Sequence, residues 1–159
     1  MKEITLHFTV NGNDVELQTE PNRTLLDLLR EDLGLTGAKD GCGGEGECGA
    51  CTVLMDDEPV NACLVLAGQA DRRLIVTIEG LAPGEELHPL QKAFVEDGAV
   101  QCGFCTPGAI MSAVGLLKRA PRPSDAQIRE ALSGNLCRCT GYAKMVSAVK
   151  DAAKELSRE

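Results

Sequence analysis

Residues 39–51 read KDGCGGEGECGAC. Cys42, Cys48 and Cys51 stand here in a stretch where five of thirteen residues are glycine. Cys63 follows eleven residues later, so the first set is spaced C-x5-C-x2-C-x11-C. The remaining cysteines, Cys102, Cys105, Cys137 and Cys139, form C-x2-C, then 31 residues, then C-x-C. Each half of the chain therefore carries one complete set of four thiols. Four thiolates can close a four-coordinate metal site or ligate an iron–sulfur cluster. Glycine lets a backbone approach closely and aim N–H groups at sulfur, so the first loop suits a cluster.

Other readings of these cysteines exist. Structural zinc takes four cysteines, usually as two short C-x2-4-C knuckles, which neither set matches. Disulfides belong to oxidising compartments. Cys102-Gly103-Phe104-Cys105 has the form of a dithiol redox motif, but that motif stands alone near a βαβ unit. Gly41, Gly43 and Gly46 satisfy G-x-G-x-x-G, which binds dinucleotides only between a strand and a helix. A helix and turn precede this loop and a strand follows it, so the nucleotide reading fails on context. The plant-type ferredoxin spacing, C-x4-C-x2-C with a distant fourth Cys, fits apart from one additional residue.

Composition sets the frame. The chain has 159 residues and a formal charge of −8, which disfavours a nucleic-acid partner. Hydrophobic residues are 43% and charged ones 25%, a globular balance. No apolar run is long enough for a membrane span, and the opening MKEITLHFTV lacks a signal-peptide core. A cytoplasmic location is expected. Aromatics are 3% with no Trp, so two small lobes with weak cores would need metal staples.

The first half reads as a sheet around one helix. Ile4, Leu6, Phe8 and Val10 alternate with polar residues, and 11–14 form a turn, so 3–19 is a hairpin. Thr24 caps a helix together with Asp27, and Gly34 ends it. Short strands are expected at Thr52–Met55, near Val60–Leu64 and at Leu74–Ile78. Residues 79–87 read as a linker, with Glu85-Glu86 a solvated face. Beyond it the period turns helical, with helices at 89–97, 107–118, after a Ser124/Gln127 capping box, and at 141–156. Both cysteine pairs of this half would then sit at helix N-termini, which stabilise thiolate charge. A helical bundle with a cluster between two helix starts follows.

These residues resemble the molybdenum hydroxylases, the xanthine oxidoreductase family. The resemblance rests on Gly41-Cys42 through Cys48-Gly49-Ala50-Cys51-Thr52-Val53, on QCGFCTPG at 101–108, and on GNLCRCTGY at 134–142. Ile78-Glu79-Gly80-Leu81 adds to it, and the match covers about residues 3–153. It implies an α+β chain. An N-terminal β-grasp, plant-type ferredoxin-like domain would span 1–80. An all-α four-helix-bundle [2Fe-2S]-binding domain would span 81–159. Cys42, Cys48, Cys51 and Cys63 would hold one [2Fe-2S] cluster, and Cys102, Cys105, Cys137 and Cys139 the other.

The resemblance further implies an electron-transfer subunit without catalytic residues of its own. Gln101 and Cys139 would lie against molybdopterin, in its cytosine dinucleotide form, on a large partner subunit. FAD would sit on a medium partner subunit, in a dimer of heterotrimers. Electrons would run from molybdenum through the helical-domain cluster and the β-grasp cluster to FAD. The substrate expected is a purine or another N-heteroaromatic ring. A stand-alone two-cluster carrier is the alternative. Where the family has four residues between the first two cysteines this chain has five, with Gly43 or Gly44 the addition. The two histidines, His7 and His88, assemble no nucleophile with a base: His7 is expected to be solvated, and His88 to cap a helix or lie at the surface.

Overall fold

The computed structural model describes residues 2–82, 84 and 86–158. Strands β1 (Ile4–Val10) and β2 (Asn13–Thr19) form the expected antiparallel hairpin, with Leu6 opposite Leu17 and Phe8 opposite Val15. Strands β3 (Thr52–Met55), β4 (Glu58–Asn61) and β5 (Leu74–Val76) complete a five-stranded sheet in the order β2-β1-β5-β3-β4. β5 runs parallel to β1 and antiparallel to β3. The inward residues Leu6, Phe8, Val10, Val53 and Ile75 pack on Leu25, Leu26, Leu28 and Leu29 of the single helix, all 5% exposed or less.

That helix opens as α1 (Leu25–Asp27) and widens at Leu28–Asp32 into a π-helical turn, where Leu33 N–H reaches Leu28 C=O at 3.1 Å. Its start is a reciprocal cap. Thr24 Oγ1 accepts the Asp27 N–H at 3.2 Å, and Asp27 Oδ2 accepts the Thr24 N–H at 2.8 Å. Thr24→Ala should cost about 1 kcal/mol. The checking measurement is a thermal melt, in which Tm should fall by about 2–4 °C while Thr24→Ser stays near wild type.

β4 begins earlier than expected. Asp56 and Asp57 have φ of 51° and 70°, the left-handed pair of a two-residue type I′ hairpin turn. That turn sets Met55 opposite Glu58, so pairing ends at Asn61 and leaves Cys63 and Leu64 outside the strand. β5 likewise stops at Val76, and Ile78–Gly80 forms a short 3-10 turn. The start of the expected linker is anchored. Glu79 Oε1 accepts the Gly37 N–H at 2.7 Å, and Asn11 Oδ1 accepts the Thr77 N–H at 2.9 Å. Pro83 and Glu85, also read as linker, lie outside the described residues.

Four helices follow: α2 (Pro89–Glu96), α3 (Thr106–Arg119), α4 (Asp125–Leu132) and α5 (Ala143–Leu156). α2 packs on α5 and α3 on α4, with α2–α3 and α4–α5 contacts closing the bundle. His88 caps α2 by accepting the Leu90 N–H on Nδ1 at 3.2 Å. Burial holds its pKa below the ordinary imidazole value, which keeps that nitrogen an acceptor. The Ser124/Gln127 capping box opens α4 as expected.

The two halves share strand β3. Its successive side chains point to opposite faces. Val53 enters the core of the sheet and α1, whereas Leu54 enters the core of the helical bundle. α3 covers the second face of the sheet at β3 and β4. Gly115 makes this possible, since a Cβ there would lie 2.2 Å from Pro59 Cγ. The ion pairs Lys118–Asp57 and Arg119–Glu58 flank the contact. The N-terminus of α3, with Cys105, is thereby carried to the glycine-rich loop.

Candidate metal centres

The first cysteine loop is shaped from both ends. Arg30, on the π-turn, donates through Nη1 to the carbonyls of Thr36 (3.0 Å) and Ala38 (2.7 Å). Lys39 N–H reaches Ala50 C=O at 3.0 Å and closes the loop's neck. Between the first two cysteines Gly43 and Gly44 adopt φ of 73° and 84°, and both donate their N–H groups to Asp40 Oδ1 at 2.7 and 3.1 Å. The four thiols fall into two pairs. Cys51 and Cys63 are buried with their sulfurs 3.4 Å apart. Cys42 and Cys48 lie together nearer the surface. Burial, then the neighbouring Cys51, pushes the Cys63 thiol up to about 12. Backbone N–H groups of Cys48 and Glu47 pull Cys42 down to about 7.

The second set repeats this pairing. Cys105, the N-cap residue of α3, is buried beside Cys137. Cys102 and Cys139 are exposed with their sulfurs 3.7 Å apart. Burial, then the Cys137 side chain, pushes the Cys105 thiol up to about 12. For Cys137 burial acts upward, but the Thr140 hydroxyl and the N–H groups of Thr140 and Cys139 outweigh it and bring the thiol to about 7. Gln101 is exposed and donates through Nε2 to the Cys139 carbonyl at 3.1 Å, so the two residues singled out for the pterin stand side by side.

One expectation needs correction. The C-x-C pair does not sit at a helix start, because α5 begins only at Ala143. Gly141 and Tyr142 both have φ of 67°, a left-handed turn that no helix accommodates. Tyr142 uses this turn to bring its hydroxyl back over the loop, where it accepts the Cys137 N–H at 2.8 Å. Arg138 is exposed, and it forms no ion pair among the described residues.

A two-plus-two grouping decides what such thiols can hold. One tetrahedral ion needs all four donors about 2.3 Å from one point. Among the described residues no three Cys, His, Asp or Glu side chains converge in that way. A [2Fe-2S] unit takes two thiolates on each of two irons, which is the arrangement of both sets. The sulfur separations of 3.4 and 3.7 Å also exceed a disulfide bond of about 2.05 Å, and all eight cysteines are free.

The two loops touch directly. Leu136 N–H, next to Cys137, donates to the carbonyl of Cys48 at 2.9 Å. Asn135, 4% exposed, donates through Nδ2 to Gly49 C=O at 3.0 Å and to Thr52 Oγ1 at 3.3 Å. Thr52 Oγ1 donates to the same carbonyl at 2.7 Å. In the sequence Asn135 stands out only as part of GNLCRCTGY at 134–142, which gives no sign of this clamp. Its burial depends on a contact between residues 86 positions apart, which no local pattern encodes.

Comparison with known proteins agrees with this geometry. Residues 8–74 match the 2Fe-2S iron-sulfur cluster binding domain and residues 77–150 the [2Fe-2S] binding domain. The chain is 54% identical to the nicotinate dehydrogenase small FeS subunit of Eubacterium barkeri, over 97% of this chain and 98% of that one. It is 49% identical to the nicotine 6-hydroxylase small subunit of Paenarthrobacter nicotinovorans, over 98% and 93%. It superposes on the crystal structure of quinoline 2-oxidoreductase from Pseudomonas putida 86 with a TM-score of 0.94 and 45% identity, covering 99% of this chain and 98% of that chain. No helix among the described residues is long and apolar enough to cross a membrane. With both cysteine sets in paired array on a sheet and a helical bundle, the chain belongs to the small [2Fe-2S] electron-transfer subunits of the molybdenum hydroxylases.

Proposed function

We propose that Cys42, Cys48, Cys51 and Cys63 hold one [2Fe-2S] cluster and Cys102, Cys105, Cys137 and Cys139 a second, within domains 1–80 and 81–159. The carrying observation is that each set forms two sulfur pairs rather than one convergent site. Bound there, the clusters supply one-electron transfer between a large molybdopterin-binding partner and a medium FAD-binding partner.

The chain's own residues bind, bury and tune. Cys51, Cys63 and Cys105 keep water from one side of each site. The glycine-rich loop and the Cys137–Tyr142 turn aim donors at sulfur. The hydrogen bond from Leu136 to Cys48 keeps the two loops in register. Gln101 and Cys139, exposed together at the end of the helical domain, form the face offered to the pterin, in the cytosine dinucleotide form. Phe104 and Leu136, next in sequence to Cys105 and Cys137, are 45% and 56% exposed, which favours a partner-bound subunit over a stand-alone carrier.

The assembly is a cytoplasmic dimer of heterotrimers, and its substrate is an N-heteroaromatic ring. Nicotinate, nicotine, quinoline and the purine xanthine in the names of similar proteins support that choice. Purification from native extract should yield the chain with two larger subunits and about four irons and four labile sulfides per chain. Reduction should develop two S = 1/2 signals by electron paramagnetic resonance. Iron well below four per loaded chain, or a lone monomer, would overturn the reading.

A further inference from the structure

The turn after the C-x-C pair folds back on one sulfur. Cys137 Sγ faces three donors from its own loop: Thr140 Oγ1 at 3.1 Å, Thr140 N–H at 3.3 Å and Cys139 N–H at 3.4 Å. Among the described residues no other thiol of either set faces a side-chain hydroxyl at hydrogen-bond distance. The direction of the hydroxyl proton is also set. Tyr142 N–H donates to Thr140 Oγ1 at 3.4 Å, which occupies a lone pair and leaves the proton for sulfur.

The turn is held there against its own preference. Tyr142 sits at φ of 67°, a conformation rarely adopted by a side-chain-bearing residue. The bond from Cys137 N–H to the Tyr142 hydroxyl at 2.8 Å retains it. Thr140 is thus fixed between two residues that are themselves tied to Cys137. Its hydroxyl is not needed to cap a helix, since α5 starts three residues later.

Reduction of a cluster places more negative charge on its cysteine sulfurs. A donor aimed at sulfur stabilises the reduced form more than the oxidised one, and so raises the reduction potential. We propose that Thr140 is a positioning residue that sets the reduction potential of the helical-domain cluster, through the hydroxyl it directs at Cys137 Sγ. The inference rests on Cys137 being a ligand of that cluster. It makes Thr140 a determinant of how readily the site nearer the pterin accepts an electron.

The test is a redox titration followed by electron paramagnetic resonance on the protein purified with its accompanying subunits. Thr140→Val keeps the shape and the backbone N–H but removes the hydroxyl. At fixed potential its reduced-to-oxidised ratio for the helical-domain cluster should fall about tenfold, a downward shift of 59 mV for one electron. Thr140→Ser should restore the wild-type midpoint, and the β-grasp cluster should not move in either variant. An unchanged midpoint in the Val variant, or an equal fall in the Ser variant, overturns the proposal. If Val fails to load the cluster, Thr140→Ala is titrated instead. If neither hydroxyl-free variant loads while Ser does, the hydroxyl serves assembly and the tuning role is refuted. Absence of both cluster signals in the wild-type protein would instead refute the ligand assignment itself.

Discussion

Cys63→Ala is expected to lower bound iron from about four atoms per chain to about two, and to remove one of the two S = 1/2 signals. Cys63 is 6% exposed and lies 3.4 Å from its partner Cys51, itself 2% exposed. Removing one thiolate would leave one iron of the cluster with a single protein ligand in a dry pocket. The other three thiols of the set are already committed to the cluster, so none can replace it. Val53, Ala62 and Ala67, which share the buried core of Cys63, offer nothing to a metal.

The selectivity of the loss follows from the two cores. Cys51 and Cys63 belong to the core of the sheet and α1, whereas Cys105 belongs to that of the helical bundle. The helical cluster should therefore assemble in the variant with its own signal unchanged. Cluster binding is also folding free energy for the loop that closes on it. Amide exchange across residues 39–51 should accelerate, while exchange in α3 and α5 stays slow. Retention of both signals would show that Cys63 is not a ligand. Loss of both would show that the two sites assemble as one unit.

What could be read from the sequence divides along chemical lines. The division of the eight cysteines into two sets of four was legible because it follows from residue type and spacing, not from long-range packing. The hairpin was legible because Leu6, Phe8 and Val10 alternate on one buried face. Thr24 with Asp27 and Ser124 with Gln127 marked helix starts because capping is local. The misplacement of β4 has a local cause too. The apolar cluster at Val60–Leu64 outweighed the Asp56-Asp57 turn that sets the register.

The junction between the halves was not legible, for a different reason. Val53 and Leu54 are apolar neighbours on one strand, which says that both faces are covered but not by what. Only the folded chain shows that α3 covers Leu54 and that Gly115 admits Pro59. α5 starts two residues later than its periodicity predicts, because periodicity alone does not exclude Gly141 from the helix. The left-handed turn it shares with Tyr142 is what separates the C-x-C pair from the helix dipole. In its place the loop's own N–H and O–H groups stabilise Cys137, a substitution invisible without side-chain positions.

Gly49→Ala should be the most destabilising glycine substitution in the first cysteine loop, because this residue is pinned from three directions. At φ of 68° a Cβ would lie 2.2 Å from Gly134 O and 2.6 Å from Asn135 Nδ2. The backbone cannot swing away, since its carbonyl accepts from Thr52 N–H at 3.1 Å, Thr52 Oγ1 at 2.7 Å and Asn135 Nδ2 at 3.0 Å. The helical side has no slack either, because Gly108 already packs so closely that a Cβ on it would lie 2.2 Å from that carbonyl. Relief therefore requires the two halves to part, with loss of the buried Asn135 bonds and of the Leu136–Cys48 bond. The cost should be about 3 kcal/mol or more. Gly43→Ala is the control. Gly43 has a similar φ of 73° but open space around its Cα, so it should show only the left-handed penalty of about 1–2 kcal/mol. Chemical unfolding of both variants measures the difference. The wild type should unfold in one transition and Gly49→Ala in two, the helical bundle separating from the sheet. Equal losses in the two variants would mean that the seam is soft, and that the separation between the two cysteine sets is not fixed by Asn135 and Gly49.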